Sequence, residues 1–180
     1  MALLDYAKAL VCVFVLVILQ LSSAPQLSPF GGGPDLVAIL VVALALWRGL
    51  ELAAVTGFAG GLLIDAILFR HLGLTSLSYV ACAWVVATFA NRGEAGAGML
   101  EPAPPRPLPW VIAGALLVQV ALVAVEVLLG YGYELGYLMW HQIVPSILET
   151  TLLALILLPL LRLLFRPTRM RRDVPAAAAV

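Results

Sequence analysis

Six apolar runs separated by short polar breaks leave this chain nowhere to place a water-facing surface. They extend from about Ala7 to Leu21, Asp35 to Leu46, Leu50 to Phe69, Leu72 to Ala90, Trp110 to Gly130 and Leu138 to Phe165. A helix needs about 20 apolar residues to cross a hydrocarbon layer, and several of these runs have that length. Charged residues make up 11% of the 180, against roughly 25% in an ordinary soluble domain. With a mean hydropathy of +1.08, the expected class is an all-α integral membrane protein, a single membrane domain over residues 1–180.

The ten Lys and Arg residues set an orientation. With six spans and a cytoplasmic N-terminus, Lys8, Arg48, Arg92, Arg106, Arg162, Arg166, Arg169, Arg171 and Arg172 fall on the inner side and Arg70 alone falls outside. That asymmetry obeys the positive-inside rule and puts both termini in the cytoplasm. Fusing the second and third runs would bury Arg48 in lipid and spoil the alternation. Lys8 ahead of an apolar core resembles a signal peptide, but no A-x-A-like site follows closely, so the first run reads as an uncleaved helix. The stretch SSAPQLSPFGGGPD reads as an irregular outer loop, residues 91–109 as a cytoplasmic Gly/Pro-rich loop, and 166–180 as a basic cytoplasmic tail. Arg166, Arg169, Arg171 and Arg172 of that tail are placed to meet anionic lipid headgroups.

Polar residues inside the runs carry the functional information, because ionisable groups in lipid need a partner or a wet cavity. Ala53, Gly57, Gly61 and Asp65 recur every four residues and share one face of the third helix. Small residues at that spacing let helix backbones approach closely. Asp65 lies roughly 22 Å along a crossing of about 30 Å, in the outer third. Asp35, Glu126, His141 and Arg70 fall near the same depth, and Glu149 lies deeper, with Gln119 and Thr150 as candidate partners. Asp35 and Asp65 have three open uses: capping helix ends or pairing with Arg70, forming a solute or proton site, or meeting a membrane partner. Pro145 and Pro159 are expected to kink the last span.

Catalytic and cofactor patterns are missing from the sequence. Asp35 and Asp65 stand in no intramembrane aspartyl-protease motif, and Ser146 and His141 lie on different faces of one helix. There is no HExxH, no Cys/His cluster and no phosphate-binding Gly loop, so no enzyme, metal or cofactor is expected. Cys12 and Cys82 sit in apolar runs as packing residues. A formal net charge of zero gives no global field for nucleic acid.

Pro34-Asp35-Leu36 opens the second run and Arg48-Gly49 closes it; Gly57-Phe58-Ala59-Gly60-Gly61-Leu62-Leu63-Ile64-Asp65 and Leu72-Gly73-Leu74-Thr75-Ser76-Leu77 follow. In that order and spacing these segments resemble the rod shape-determining protein MreD family, and Pro145-Ser146-Ile147-Leu148 through Pro159-Leu160-Leu161 is similar to that family's final helix. The chain departs from the family in Glu149, where a small polar residue such as Asn is expected, and in its long Pro-rich fourth loop. The resemblance implies a non-catalytic scaffold subunit of the bacterial cell-wall elongation machinery in the cytoplasmic membrane. Its implied partners are MreC and, indirectly, MreB and a peptidoglycan polymerase–transpeptidase pair. On that reading the Gly57/Gly61 face or the outer polar residues serve partner assembly. The family also resembles, in topology, the substrate-binding subunits of energy-coupling-factor transporters. The alternative is therefore a membrane subunit binding a vitamin-like solute, with Tyr131, Tyr133, Tyr137 and Trp140 lining its pocket or forming an interfacial belt.

Overall fold

The computed structural model describes residues 2–27, 33–69, 72–95, 107–128 and 143–165. They form six helices: α1 (Ala2–Leu27), α2 (Leu36–Trp47), α3 (Leu50–Ile67), α4 (Leu74–Ala95), α5 (Pro107–Leu128) and α6 (Val144–Leu164). Four of them, α1, α3, α5 and α6, are long and apolar enough to cross a membrane, as in a multi-pass membrane protein. The other two contribute shorter apolar segments, Leu36–Trp47 and Leu74–Phe89.

The bundle is built around α2. Its 12 residues, LVAILVVALALW, span about 18 Å at 1.5 Å per residue, and Leu36 through Ala45 are all buried. All five other helices pack on it, in the order α1, α3, α4, α5, α6, each touching the next. The wide, lipid-like faces of the bundle carry exposed apolar side chains such as Val11 and Phe14 on α1 and Leu152 and Ile156 on α6. Apolarity alone does not centre α2, because a helix apolar on every side gains little by exchanging lipid for protein. The polar groups at its two ends do so.

Close backbone approach holds α3 against its neighbours. A Cβ on Gly61 would stand 2.4 Å from the Cα and N of Ser76 in α4, so only glycine admits that crossing. A Cβ on Gly60 would meet Val13 of α1 at 2.7 Å and Val37 of α2 at 2.9 Å. One on Gly57 would meet Tyr79 at 3.1 Å and Val41 at 3.2 Å. Ala53, on the same side, is fully buried. Gly57 and Gly61 are thus spent on packing inside the chain, and no partner helix can occupy that face while α4 does. On the far side, Gly114 lets α5 approach Val42 and Cys82, whose thiol lies 3.7 Å from the Gly114 carbonyl oxygen. The α2–α3 turn depends on Gly49, whose φ of 99° is open to glycine and strained for other residues.

Several boundaries differ from the sequence expectation. Helix α1 continues through Pro25 to Leu27, so Ser22 to Leu27 are helical and not loop. A proline this near a helix end removes a single backbone bond, and the helix already formed carries on past it. The stretch 91–109 is also shorter as a loop, since α4 runs to Ala95 and α5 starts at Pro107. Proline suits a first turn, where its missing N–H has no intrahelical acceptor. For the same reason Pro145 begins α6 and does not kink it, while Pro159 lies inside the helix.

Candidate functional site

The N-terminal end of α2 is where polar side chains from the most helices meet. Helix starts leave N–H groups without intrahelical acceptors, and leaving one unpaired in an apolar medium costs several kcal/mol. Here every one is paired. Leu36 and Val37 donate to Oε1 of Gln20, on α1, at 3.0 and 3.2 Å. Ala38 donates to Oδ1 of Asp35 at 3.0 Å, which makes Asp35 the N-cap of α2.

Asp35, 7% exposed, draws in two further helices. The Tyr79 hydroxyl of α4 donates to Asp35 Oδ1 at 2.8 Å. The Asp35 backbone N–H donates to Oγ1 of Thr150, on α6, at 2.9 Å. Beside it the Ser146 hydroxyl donates to the Gly33 carbonyl at 2.9 Å and accepts from Gln119 Nε2, on α5, at 2.6 Å. Gln20, Asp35, Tyr79, Gln119, Ser146 and Thr150 thus join α1, α2, α4, α5 and α6 through one buried layer. Ser146, Glu149 and Thr150 are all buried, and Glu149 is 8% exposed. Its two expected partners bond elsewhere: Gln119 to Ser146, and Thr150 to Asp35.

Asp65 forms a separate joint. Fully buried at the end of α3, it accepts on Oδ2 from the N–H groups of Gly73 (2.8 Å) and Thr75 (3.2 Å) and so caps α4 across the turn. Its Oδ1 is buried and has no hydrogen-bond partner among the described residues. The Ser76 hydroxyl ties the hairpin again by donating to the Phe58 carbonyl at 3.0 Å. The two aspartates therefore serve different helix starts and do not share a ligand. Arg70 and His141, the four tail arginines and the aromatic stretch at 131–140 lie outside the described residues, as does the side chain of Glu126.

The opposite end of α2 is held by charge. Arg48, its C-cap residue, forms an ion pair with Asp5 of α1. Tyr6, next along α1, is hydrogen-bonded to Glu51 at the start of α3. Helix α1 is consequently tied at both ends, by Gln20 at one and by Asp5 and Tyr6 at the other.

Sequence inspection singled out Asp35, Thr150, Glu149 and Gln119 but not Gln20 or Tyr79. A lone Gln inside LVCVFVLVILQL is itself the missed signal, since a side-chain amide in an apolar helix must find a partner in a neighbour. Among the described residues, no group of three or more His, Cys, Asp or Glu is placed to hold a metal ion. Fold and site together define a helical multi-pass membrane protein whose buried polar groups hold helices to one another. Comparison with protein-family models, with curated proteins and with solved structures gives no match.

Proposed function

We propose that this protein is a non-catalytic membrane scaffold of the MreD kind, working in the bacterial cytoplasmic membrane with MreC in wall elongation. In this reading all six helices cross the membrane, both termini are cytoplasmic, and the Asp35 end of the bundle faces outward. The distribution of Lys and Arg supports that orientation.

One observation carries the reading. The residues on which the family resemblance rests are those that join α2, α3 and α4. Asp35 caps α2, Gly49 makes the α2–α3 turn, Gly61 sets the α3–α4 crossing, and Asp65 caps α4. A resemblance seated in joints is one of architecture, which suits a protein that positions others. Every polar atom that Asp35, Gln20 and Ser146 are described as using is engaged in holding the fold, and none of these side chains is arranged as an acid–base or nucleophilic pair.

The direct test is depletion of the protein in its own rod-shaped host. Rounding and widening of the cells, with wall synthesis no longer confined to the cylinder, is expected. Unchanged shape together with lost uptake of a small solute would replace the scaffold with the transporter subunit.

A further inference from the structure

Two residues of the α3–α4 turn have left-handed backbones, Gly73 with a φ of 98° and Phe69 with a φ of 51°. Glycine takes that conformation freely, whereas a residue with a Cβ is strained in it. Helices commonly end on one such residue, and glycine is the usual choice there. Helix α3, whose C-cap is Leu68, is followed by Phe69 instead. Packing within the chain does not offset the strain, because Phe69 is 96% exposed. Its neighbours Ile67, Leu68 and Leu72 are exposed too, Leu72 to 71%. Phe69 therefore crowns an apolar tip, and exposed apolar patches mark surfaces that something else covers.

Two contacts fix the height of this tip. Tyr6 of α1 is hydrogen-bonded to Glu51 of α3, and Val13 of α1 lies where a Cβ on Gly60 would point. The two helices thus run side by side in one direction, and their register brings Phe69 about level with Ser22 and Ser23. There the apolar run of α1 gives way to SSAPQ, and its membrane-crossing stretch, Leu4–Ser22, ends. The crossing stretch of α3 ends at Ile67, immediately before the tip. Both helices therefore put Phe69 at the edge of the hydrocarbon layer, on the side where Gln20 and Asp35 cap α2. Toward the bilayer centre, Leu62 of α3 and Leu77 of α4 are exposed, so the tip continues the lipid-facing surface.

We propose that the tip formed by Phe69 and Leu72 is an interfacial anchor, seated in the headgroup–acyl boundary of the leaflet at the Asp35 end. Apolar side chains at a bilayer surface settle about 5–10 Å into that boundary, which takes the Phe69 ring out of water and offsets its strained backbone. The anchor acts on the joint beneath it. Asp65 Oδ2 accepts from Gly73 and Thr75 in the same turn, so holding the tip fixes the height at which α3 and α4 are tied. The anchor rests on the membrane-spanning reading alone, and not on the orientation of the bundle or on any protein partner.

Fluorescence of the full-length Phe69→Trp protein in phosphatidylcholine vesicles, taken as the difference from the wild type, tests this. Lipids brominated near the headgroup should quench the added indole about twofold more than lipids brominated near the chain ends, and aqueous acrylamide should quench it poorly. If Phe69→Trp does not fold, Leu72→Trp at the neighbouring exposed position gives the same reading. Strong acrylamide quenching without quenching by either lipid overturns the proposal, because the tip then stands in water, where another protein would have to cover it. Strongest quenching by the chain-end lipids overturns it as well, since the tip would then lie deep in hydrocarbon. Phe69→Gly separates anchoring from folding, because it removes the ring and relieves the backbone. Its unfolding midpoint in detergent should equal or exceed that of the wild type, and a lower midpoint would show that the ring packs within the chain, against the proposal.

Discussion

The Tyr79 hydroxyl donates to Asp35 Oδ1 at 2.8 Å across 44 positions of sequence, in a layer where both side chains are buried. Through that bond and the Thr150 contact, the start of α2 is fixed to two helices that follow it much later in the chain. Asp35→Ala removes the acceptor of both Tyr79 and the Ala38 N–H, and is expected to destabilise the fold by about 2–4 kcal/mol. Tyr79→Phe removes one bond and should cost about 1 kcal/mol. Thermal unfolding in detergent, followed by reaction of the buried Cys82 thiol in a Cys12→Ala background, ranks the two. Equal, small effects would mean that the layer does not hold α2.

The glycines of α3 and α5 should respond to alanine in an order set by what the new methyl meets. Gly61→Ala drives a Cβ to 2.4 Å from backbone atoms, which cannot swing aside, so α3 and α4 must separate. A loss of about 3 kcal/mol is expected, the upper range for overpacking. Gly60→Ala and Gly114→Ala press on valine methyls at 2.7 and 2.6 Å and should cost less, and Gly57→Ala, at 3.1 Å, least of all. The same thiol-reaction assay measures the series. An order in which Gly57→Ala is the most damaging would contradict the packing described.

Most of the helices were legible in the sequence, because apolar runs near membrane length admit few other structures. The role of α2 was not. LVAILVVALALW is apolar on all sides, and in lipid that pattern fits a peripheral helix as well as a central one. What centres it is a set of long-range bonds from Gln20, Tyr79 and Thr150, and spacing along one chain does not reveal which distant helix a side chain will reach. The four-residue stripe did pick out Gly57, Gly61 and Asp65, since those share one face. It missed Gly60, which meets α1 and α2 on another face of the same turn, and Gly114 on a helix without the repeat. Asp5 was likewise unremarked, though it is the acid that receives Arg48.

Gln20→Leu should expose how much of α2 depends on α1. The substitution leaves the N–H groups of Leu36 and Val37 without their acceptor, at a cost of about 2 kcal/mol or more. Gln20→Glu keeps an acceptor oxygen and should be milder. Hydrogen exchange at Leu36 and Val37, measured in the purified protein, is expected to accelerate in Gln20→Leu. Unchanged protection there would show that α1 is not what caps α2.

Orientation is open to a fusion experiment. Green fluorescent protein at the C-terminus should fluoresce, as it does only in the cytoplasm, and alkaline phosphatase inserted in the α3–α4 turn should be active. The reverse pair of results would invert the bundle and place the Arg48 end outside, against the charge bias.

The scaffold role is tested most directly by purifying the tagged full chain from native membranes of its host in mild detergent and identifying by mass spectrometry what accompanies it. Recovery of MreC, with wall polymerase and transpeptidase in lesser amounts, is the predicted result. Recovery of a transporter's ATPase and coupling subunits, or of a vitamin-like solute in place of MreC, would contradict it.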